Sequence, residues 1–197
     1  MAHYNIGDHI RQKLWLELDV AYASPARHYH IWAHIARLCD EIARGEWADA
    51  DRRMLLLAAF YHDAVYDVLK HDNEEQSALL AAERMQEIGV AEADINWCCD
   101  CIRATKSHTA TGDAAIDFFP DADLAILGAP ASDYEAYTLQ IRREYSIYPD
   151  EVYKPGRRKV LEHFLSAPRI YKTAACYDRL EAAARANLMA EADSLRA

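Results

Sequence analysis

Turn-forming residues are scarce in this sequence, which has six glycines and six prolines in 197 residues. Sandwiches and barrels of β-strands need many tight turns, and glycine and proline dominate such turns. Apolar residues make up 52% of the chain, which is enough to bury a sizeable core and excludes a disordered chain. The sequence therefore predicts an all-α fold. Its length suits a single domain over residues 1–197.

The chain has a formal charge of −10, from 22 basic and 32 acidic residues. Because an acidic surface repels nucleic acid and acidic lipid, we expect neither a nucleic-acid partner nor a membrane. The apolar run over residues 54–61 is too short to cross a bilayer. Five cysteines are an odd number, and no signal peptide is recognisable, so we expect a cytoplasmic protein. The oligomeric state is left open.

Apolar residues recur at helical spacing along most of the chain. This pattern predicts helices at about residues 8–22, 27–44, 49–66, 74–88, 92–105, 121–127, 132–145, 157–166 and 175–195. Asn73 is the predicted N-cap of its helix. Residues 106–120 lack a clear period and are predicted to be irregular, and a break is expected at residues 155–156.

A histidine and an aspartate, His62 and Asp63, stand side by side at the end of the most apolar predicted helix. Burying an unpaired imidazole or carboxylate costs several kcal/mol, so this pair needs a compensating partner. A divalent metal is one such partner. A hydrogen-bonded core histidine and a locally bonded helix-end aspartate are the plainer alternative.

Two other groups of potential ligands are weaker evidence for a metal. His30 and His34 are four residues apart and would share one face of the predicted helix 27–44. The pair lacks the glutamate that follows the first histidine in zinc-protease motifs. Cys98, Cys99 and Cys101 lack the two separated pairs of a closed zinc site, and we interpret them as small buried residues.

The order of the candidate ligands is more specific than any one motif. Along the chain it reads His34, then His62 and Asp63, then Asp123. With this order the chain resembles the HD-domain superfamily of metal-dependent phosphohydrolases, and in particular a bacterial group of predicted HD phosphohydrolases. The resemblance covers residues 24–171. It includes the segments RHYHIWAHI, AAFYHDAVYD and DADLAILG, with further motifs at residues 73–78, 104–108 and 134–145.

The resemblance implies a helical bundle with one divalent metal held by His34, His62, Asp63 and Asp123. Asp121 is an alternative to Asp123, which we prefer because it directly precedes the apolar segment LAIL. Histidine and carboxylate ligands with open positions suit Mn, Fe, Co, Ni or Mg better than a closed structural zinc.

Several further residues are candidates for acid/base chemistry or substrate binding. Some HD subfamilies place a lysine or glutamate soon after the metal pair, and Asp67 is the nearest counterpart here. Glu74 and His108 are the other catalytic candidates, either at the substrate or behind the metal ligands. The candidates for binding a phosphorylated substrate are Arg27, His30, Ser77, Lys106, Arg142 and Arg157.

These residues predict a metal-dependent phosphohydrolase that acts on a small phosphate ester or nucleotide through a metal-activated water. Two alternatives remain open. One is an HD-type di-iron oxygenase, in which His108 with Asp67 or Glu74 would help to hold a second iron. The other is a non-catalytic ligand-binding module. The substrate itself is not predicted.

Overall fold

The computed structural model describes residues 6–107 and 110–196. Within these ranges the regular structure is entirely helical, which confirms the predicted all-α class. The α-helices are α1 (Asp8–Tyr22), α2 (Trp32–Arg44), α3 (Asp49–Tyr61), α4 (Asn73–Glu87), α5 (Glu92–Ser107), α6 (Ala114–Asp123), α7 (Ala131–Glu144), α8 (Asp150–Ser166) and α9 (Ala174–Ser194), with a short 3₁₀ helix at Leu124–Gly128. No helix in the described ranges has both the length and the apolar character needed to cross a membrane.

The described residues form two compact units, the first ending at Pro120 and the second beginning at Asp121. The boundary falls inside α6. In the first unit α3 packs against α2, α4 and α5, and α4 packs along α5. Leu55, Ala58 and Ile102 are fully buried there. The apolar run that ends α3 is therefore part of the core of the first unit, as its composition predicts. The prediction of a single domain stays a prediction.

The second unit is built around α9, which packs against α8 and the 3₁₀ helix. The 3₁₀ helix and α9 approach closely at Gly128. A Cβ atom added to Gly128 would lie 2.7 Å from the Cβ of Leu180, which is too close for two carbon atoms. Glycine is therefore required at this position by packing.

Two helix ends next to the candidate ligands differ from the predictions. α2 begins at Trp32 rather than near residue 27, because Ile31 has an extended backbone with φ −122° and ψ 177°. α3 ends at Tyr61 rather than near residue 66. His30 therefore precedes α2 and does not share a helix face with His34. His62 is the residue that caps α3, and Asp63 lies in the turn that follows.

Three other local predictions are corrected. Asn73 is the first residue of α4 rather than its N-cap, which is Asp72. Part of the segment expected to be irregular forms α6, because Asp113 Oδ1 accepts the first N–H groups of that helix. α8 runs through Pro155 without a break. Pro155 is the sixth residue of α8, and its ring removes one backbone bond, the one to the carbonyl of Glu151, without ending the helix.

Candidate metal centre

His34, His62 and Asp63 come together in the first unit. His34 lies in the first turn of α2, and His62 and Asp63 follow the last residue of α3. Because α2 packs against α3, these two helix ends bring the three side chains to one place. The imidazoles are almost fully buried, with 3% of His34 and 2% of His62 exposed.

The ligand-type atoms of these three residues converge. The Nε2 atoms of His34 and His62 are 3.1 Å apart. One carboxylate oxygen of Asp63, Oδ2, lies 2.9 Å from His62 Nε2 and 3.7 Å from His34 Nε2. Two imidazole nitrogens and a carboxylate oxygen therefore face a common point.

The second ring nitrogen of His62 contacts the backbone, which bears on how the ring can face this point. Its Nδ1 atom lies 3.0 Å from the carbonyl oxygen of Ala59. A carbonyl can only accept, so we assign the ring proton to Nδ1. In the neutral ring, Nε2 then presents a lone pair to the Asp63 oxygen. Two electron-rich atoms at 2.9 Å repel each other unless a proton or a cation neutralises them, and this donor set fits a divalent metal.

His30 extends the cluster toward solvent. Its Nε2 atom is 3.9 Å from Asp63 Oδ2, and its side chain is 18% exposed. The ring lies 4.3 Å from that of Tyr66, measured between centroids. The structure therefore brings the predicted residue His30 together with His34, His62 and Asp63, although it does so through a non-helical segment.

Arg27 is bound to the backbone around the cluster. Its guanidinium donates hydrogen bonds to the carbonyl oxygens of His30 (3.3 Å), Asp63 (2.7 Å) and Ala64 (3.1 Å). It also lies over the rings of Tyr22 and Tyr66, 5.1 and 5.4 Å from their centroids. These contacts occupy a side chain that the sequence suggested for phosphate binding, and they fix the position of the Asp63 backbone.

Two side chains of α4 hold the turn that follows Asp63. The hydroxyl of Ser77 accepts from the N–H of Val65 (3.1 Å) and donates to the carbonyl of the same residue (3.2 Å). The amide of Asn73 makes the same pair of bonds with Asp67, at 3.1 and 2.9 Å. We call residues 63–67, held in this way, the ligand turn.

Sequence reasoning missed the role of Asn73. The available signal was its spacing of four residues from Ser77, since residues four apart share a helix face. The spacing does not reveal what that face contacts, because the ligand turn reaches α4 only through the packing of α3 against α4.

The remaining candidates of the first unit have the following partners. The carboxylate of Asp67 accepts from the N–H of Leu69 at 2.9 Å. Glu74 lies 3.4 Å from the ammonium of Lys106, which is 52% exposed. His108 lies outside the described residues.

In the second unit, the structure distinguishes Asp121 from Asp123. Asp121 is buried. Its carboxylate accepts from the N–H groups of Lys172 (2.9 Å) and Thr173 (2.7 Å), and from the Thr173 hydroxyl (2.7 Å). Burial raises the pKa of this carboxyl, while the bonds from Lys172 and Thr173 act in the opposite direction. Asp121 thus anchors the segment before α9, which leaves Asp123, the last residue of α6, as the better ligand candidate.

The two arginines predicted for substrate binding in the second unit are engaged within it. Arg142 pairs with Asp150 at 2.7 Å and donates to the carbonyl of Tyr148 at 3.1 Å. Arg157 pairs with Glu191 at 2.7 Å, and the side chains of this pair are only 9% and 7% exposed. Both guanidiniums therefore have partners within the chain.

A comparison of the chain with known proteins gives no match, whether with a protein-family model, a curated protein or a solved structure.

Proposed function

We propose that this protein is a metal-dependent phosphohydrolase acting on a small phosphate ester or nucleotide. The observation that carries the proposal is the convergence of His34, His62 and Asp63 on one point, where His62 Nε2 lies 2.9 Å from a carboxylate oxygen of Asp63. The resemblance to HD-domain phosphohydrolases, noted from the sequence, supplies the reaction class.

The proposed ligands are His34, His62, Asp63 and Asp123. The first three are supported by the contacts among them, and Asp123 by the resemblance and by the engagement of Asp121 with Thr173. A divalent cation bound there supplies an acidified water and polarises a phosphoryl oxygen. Mn, Fe, Co, Ni and Mg are the candidate ions.

Residues of this chain prepare the centre before any ligand binds. The bond from His62 Nδ1 to the Ala59 carbonyl fixes the ring and directs Nε2 to the cluster. Arg27 and Ser77 hold the ligand turn through its backbone, so the Asp63 carboxylate needs little reorganisation on binding. We assign Arg27 this positioning role rather than direct contact with phosphate.

More exposed groups are the candidates for proton transfer and for offsetting the charge of the substrate. Asp67 and Glu74 are the proposed acid/base candidates in the first unit, with His108 as a third. Lys106 is half exposed beside Glu74, and an ammonium of this kind offsets the charge of a phosphate. His30, at the solvent edge of the cluster, is the proposed contact to the substrate next to the metal.

The test is hydrolysis of a panel of phosphate esters and nucleotides by protein loaded in turn with Mn²⁺, Fe²⁺, Co²⁺, Ni²⁺ or Mg²⁺. We expect phosphate release that chelation abolishes. Asp63→Asn should reduce it by at least about 100-fold, since the loss of a residue that only hydrogen-bonds to a metal ligand already costs about 10–100-fold. Asp133→Asn, on the first turn of α7, is the matched control. Oxygen consumption without phosphate release would favour the di-iron oxygenase, and tight ligand binding without turnover would favour the binding module.

A further inference from the structure

One cavity of the first unit lies among residues that the proposed metal centre does not use. It has a volume of about 400 Å³ and is lined by Trp47, Asp51, Trp97 and residues 112–115. Its walls therefore combine two indole rings with two carboxylates, and none of the described residues that line it is a lysine or arginine.

The two indoles can offer a ligand little besides their ring surfaces. The N–H of Trp47 donates to the carbonyl of Ile42 at 3.0 Å. The N–H of Trp97 donates to the carboxylate of Asp113 at 3.3 Å. The ring of Trp47 also lies 4.8 Å from that of Phe118, which helps to keep it in place. Since both N–H donors are engaged, recognition by these side chains must use the electron-rich faces of the rings.

The backbone at this cavity is unsuited to an anion. Asp113 Oδ1 accepts the N–H groups of Ala115 (2.9 Å) and Ile116 (3.0 Å) at the start of α6. The carboxylate of Asp117 accepts the N–H of Gly112 at 3.2 Å. Carboxylates of the chain itself therefore occupy the donors that an anionic ligand would need, and their charge remains at the site.

Asp51 supplies a negative charge that no neighbour offsets. Its carboxylate forms no hydrogen bond or ion pair with a side chain in the described part of the chain, and it is exposed on the first turn of α3. Asp113, by contrast, is engaged by Trp97 and by α6. A cation in the cavity would pair with Asp51 without displacing an existing partner.

We propose that this cavity binds a small alkylated ammonium ion, with the ring faces of Trp47 and Trp97 as its walls and Asp51 as its counter-ion. Indole faces attract cations most strongly among the aromatic side chains. A primary ammonium would need three acceptors to replace its water shell, and Asp51 is the open acceptor here. An ammonium whose hydrogens are replaced by methyl groups has no such need, and it fills an aromatic cavity with apolar surface.

The test compares choline with its neutral isostere, in which a carbon atom replaces the ammonium nitrogen, by calorimetric titration at low ionic strength. The two probes have the same shape, so a difference in affinity reports the charge. We expect choline to bind at least about fivefold more tightly than the isostere, the factor that one exposed ion pair contributes. Equal affinities, or no binding of choline, would overturn the proposal.

Two pairs of variants test whether choline binds in this cavity. Asp51→Asn should weaken choline binding by about fivefold. Asp49→Asn makes the same change of charge on the same helix turn but outside the cavity, and it should leave the affinity for choline unaltered. Trp97→Leu should abolish detectable binding, and Trp15→Leu, at an exposed tryptophan of α1 that does not line the cavity, should not. Both aspartates are exposed, so these variants should fold, and circular dichroism checks this. Equal effects of Asp51→Asn and Asp49→Asn would refute the site.

Discussion

The imidazoles of His34 and His62 face each other through their Nε2 atoms at 3.1 Å, although they belong to different helices. One begins α2 and the other ends α3. Both rings are buried, so a cation shared between them would be shielded from water and held by the packing of these two helices. Metal binding and the stability of the first unit should therefore be coupled.

Replacement of either histidine should remove this coupling. At a metal concentration 100 times its Kd, the wild-type protein should gain about 2.7 kcal/mol in free energy of unfolding, and His34→Ala or His62→Ala should gain almost none. Thermal unfolding with and without Mn²⁺ or Ni²⁺ measures the gain. His163→Ala, an exposed histidine of α8, is the control. A gain in the His62→Ala protein equal to that of the wild type would contradict the ligand assignment.

Ser77→Ala should destabilise the protein by about 1–3 kcal/mol, because the N–H and carbonyl of Val65 both lose their partner. Urea denaturation measures the change. Ser166→Ala, at an exposed hydroxyl, should cost much less. If the ligand turn positions Asp63, Ser77→Ala should also weaken metal binding measured well below the unfolding transition. Unchanged metal affinity would restrict Ser77 to a role in stability.

Asp113 should contribute stability that depends on pH. Hydrogen bonds from the N–H of Ile116, then from Trp97 and Ala115, lower the pKa of its carboxyl. Because the pKa is lower in the folded protein than in the unfolded chain, the carboxylate stabilises the fold fully above the unfolded pKa, at about pH 4. This stabilisation is lost as the pH falls through the lower pKa of the folded state. Asp113→Ala should therefore cost about 1 kcal/mol at neutral pH and less near about pH 3.

The matched variant for this measurement is Asp113→Asn, which keeps a capping oxygen but does not titrate. Its free energy of unfolding relative to Asp113→Ala should be independent of pH between about pH 3 and pH 7. A cost of Asp113→Ala that is the same at both pH values would show that the charge of the carboxylate does not contribute.

Asp121 and Asp123 should respond to mutation in opposite ways. Asp121→Ala leaves the N–H groups of Lys172 and Thr173 without their acceptor, so we expect a loss of about 1–3 kcal/mol in free energy of unfolding with metal affinity retained. Asp123→Ala should abolish or strongly weaken metal binding. Calorimetry with the metal alone, together with urea denaturation, separates the two. The reverse pattern would make Asp121 the ligand.

Arg157→Ala should destabilise the second unit by about 3–5 kcal/mol, because it leaves the carboxylate of Glu191 buried without its cation. Arg158→Ala, next to it but 40% exposed in its pair with Glu162, should cost less than about 1 kcal/mol. Chemical denaturation measures both. Similar losses for the two variants would show that burial of the Arg157 pair does not govern its contribution.

The sequence alone determined the helical class and most helix positions. The period of apolar residues predicted α1 over residues 8–22, where the structure has it. Such predictions succeed because periodicity and end signals are local properties of a helix. The pairing of His62 and Asp63 beside an apolar run also indicated a candidate site, since burial of these groups is costly wherever the helix packs.

Tertiary contacts decided the details at that site. α3 stops before His62 and Asp63. Ser77 and Asn73 bind the backbone of the turn that follows, 12 and 6 residues away from the groups they contact. The partners of Asp121 lie about 50 residues away in sequence. No periodicity encodes such contacts, because hydrogen-bond partners distant in sequence are chosen by the packing of whole helices, and that packing also sets which carboxylate is buried.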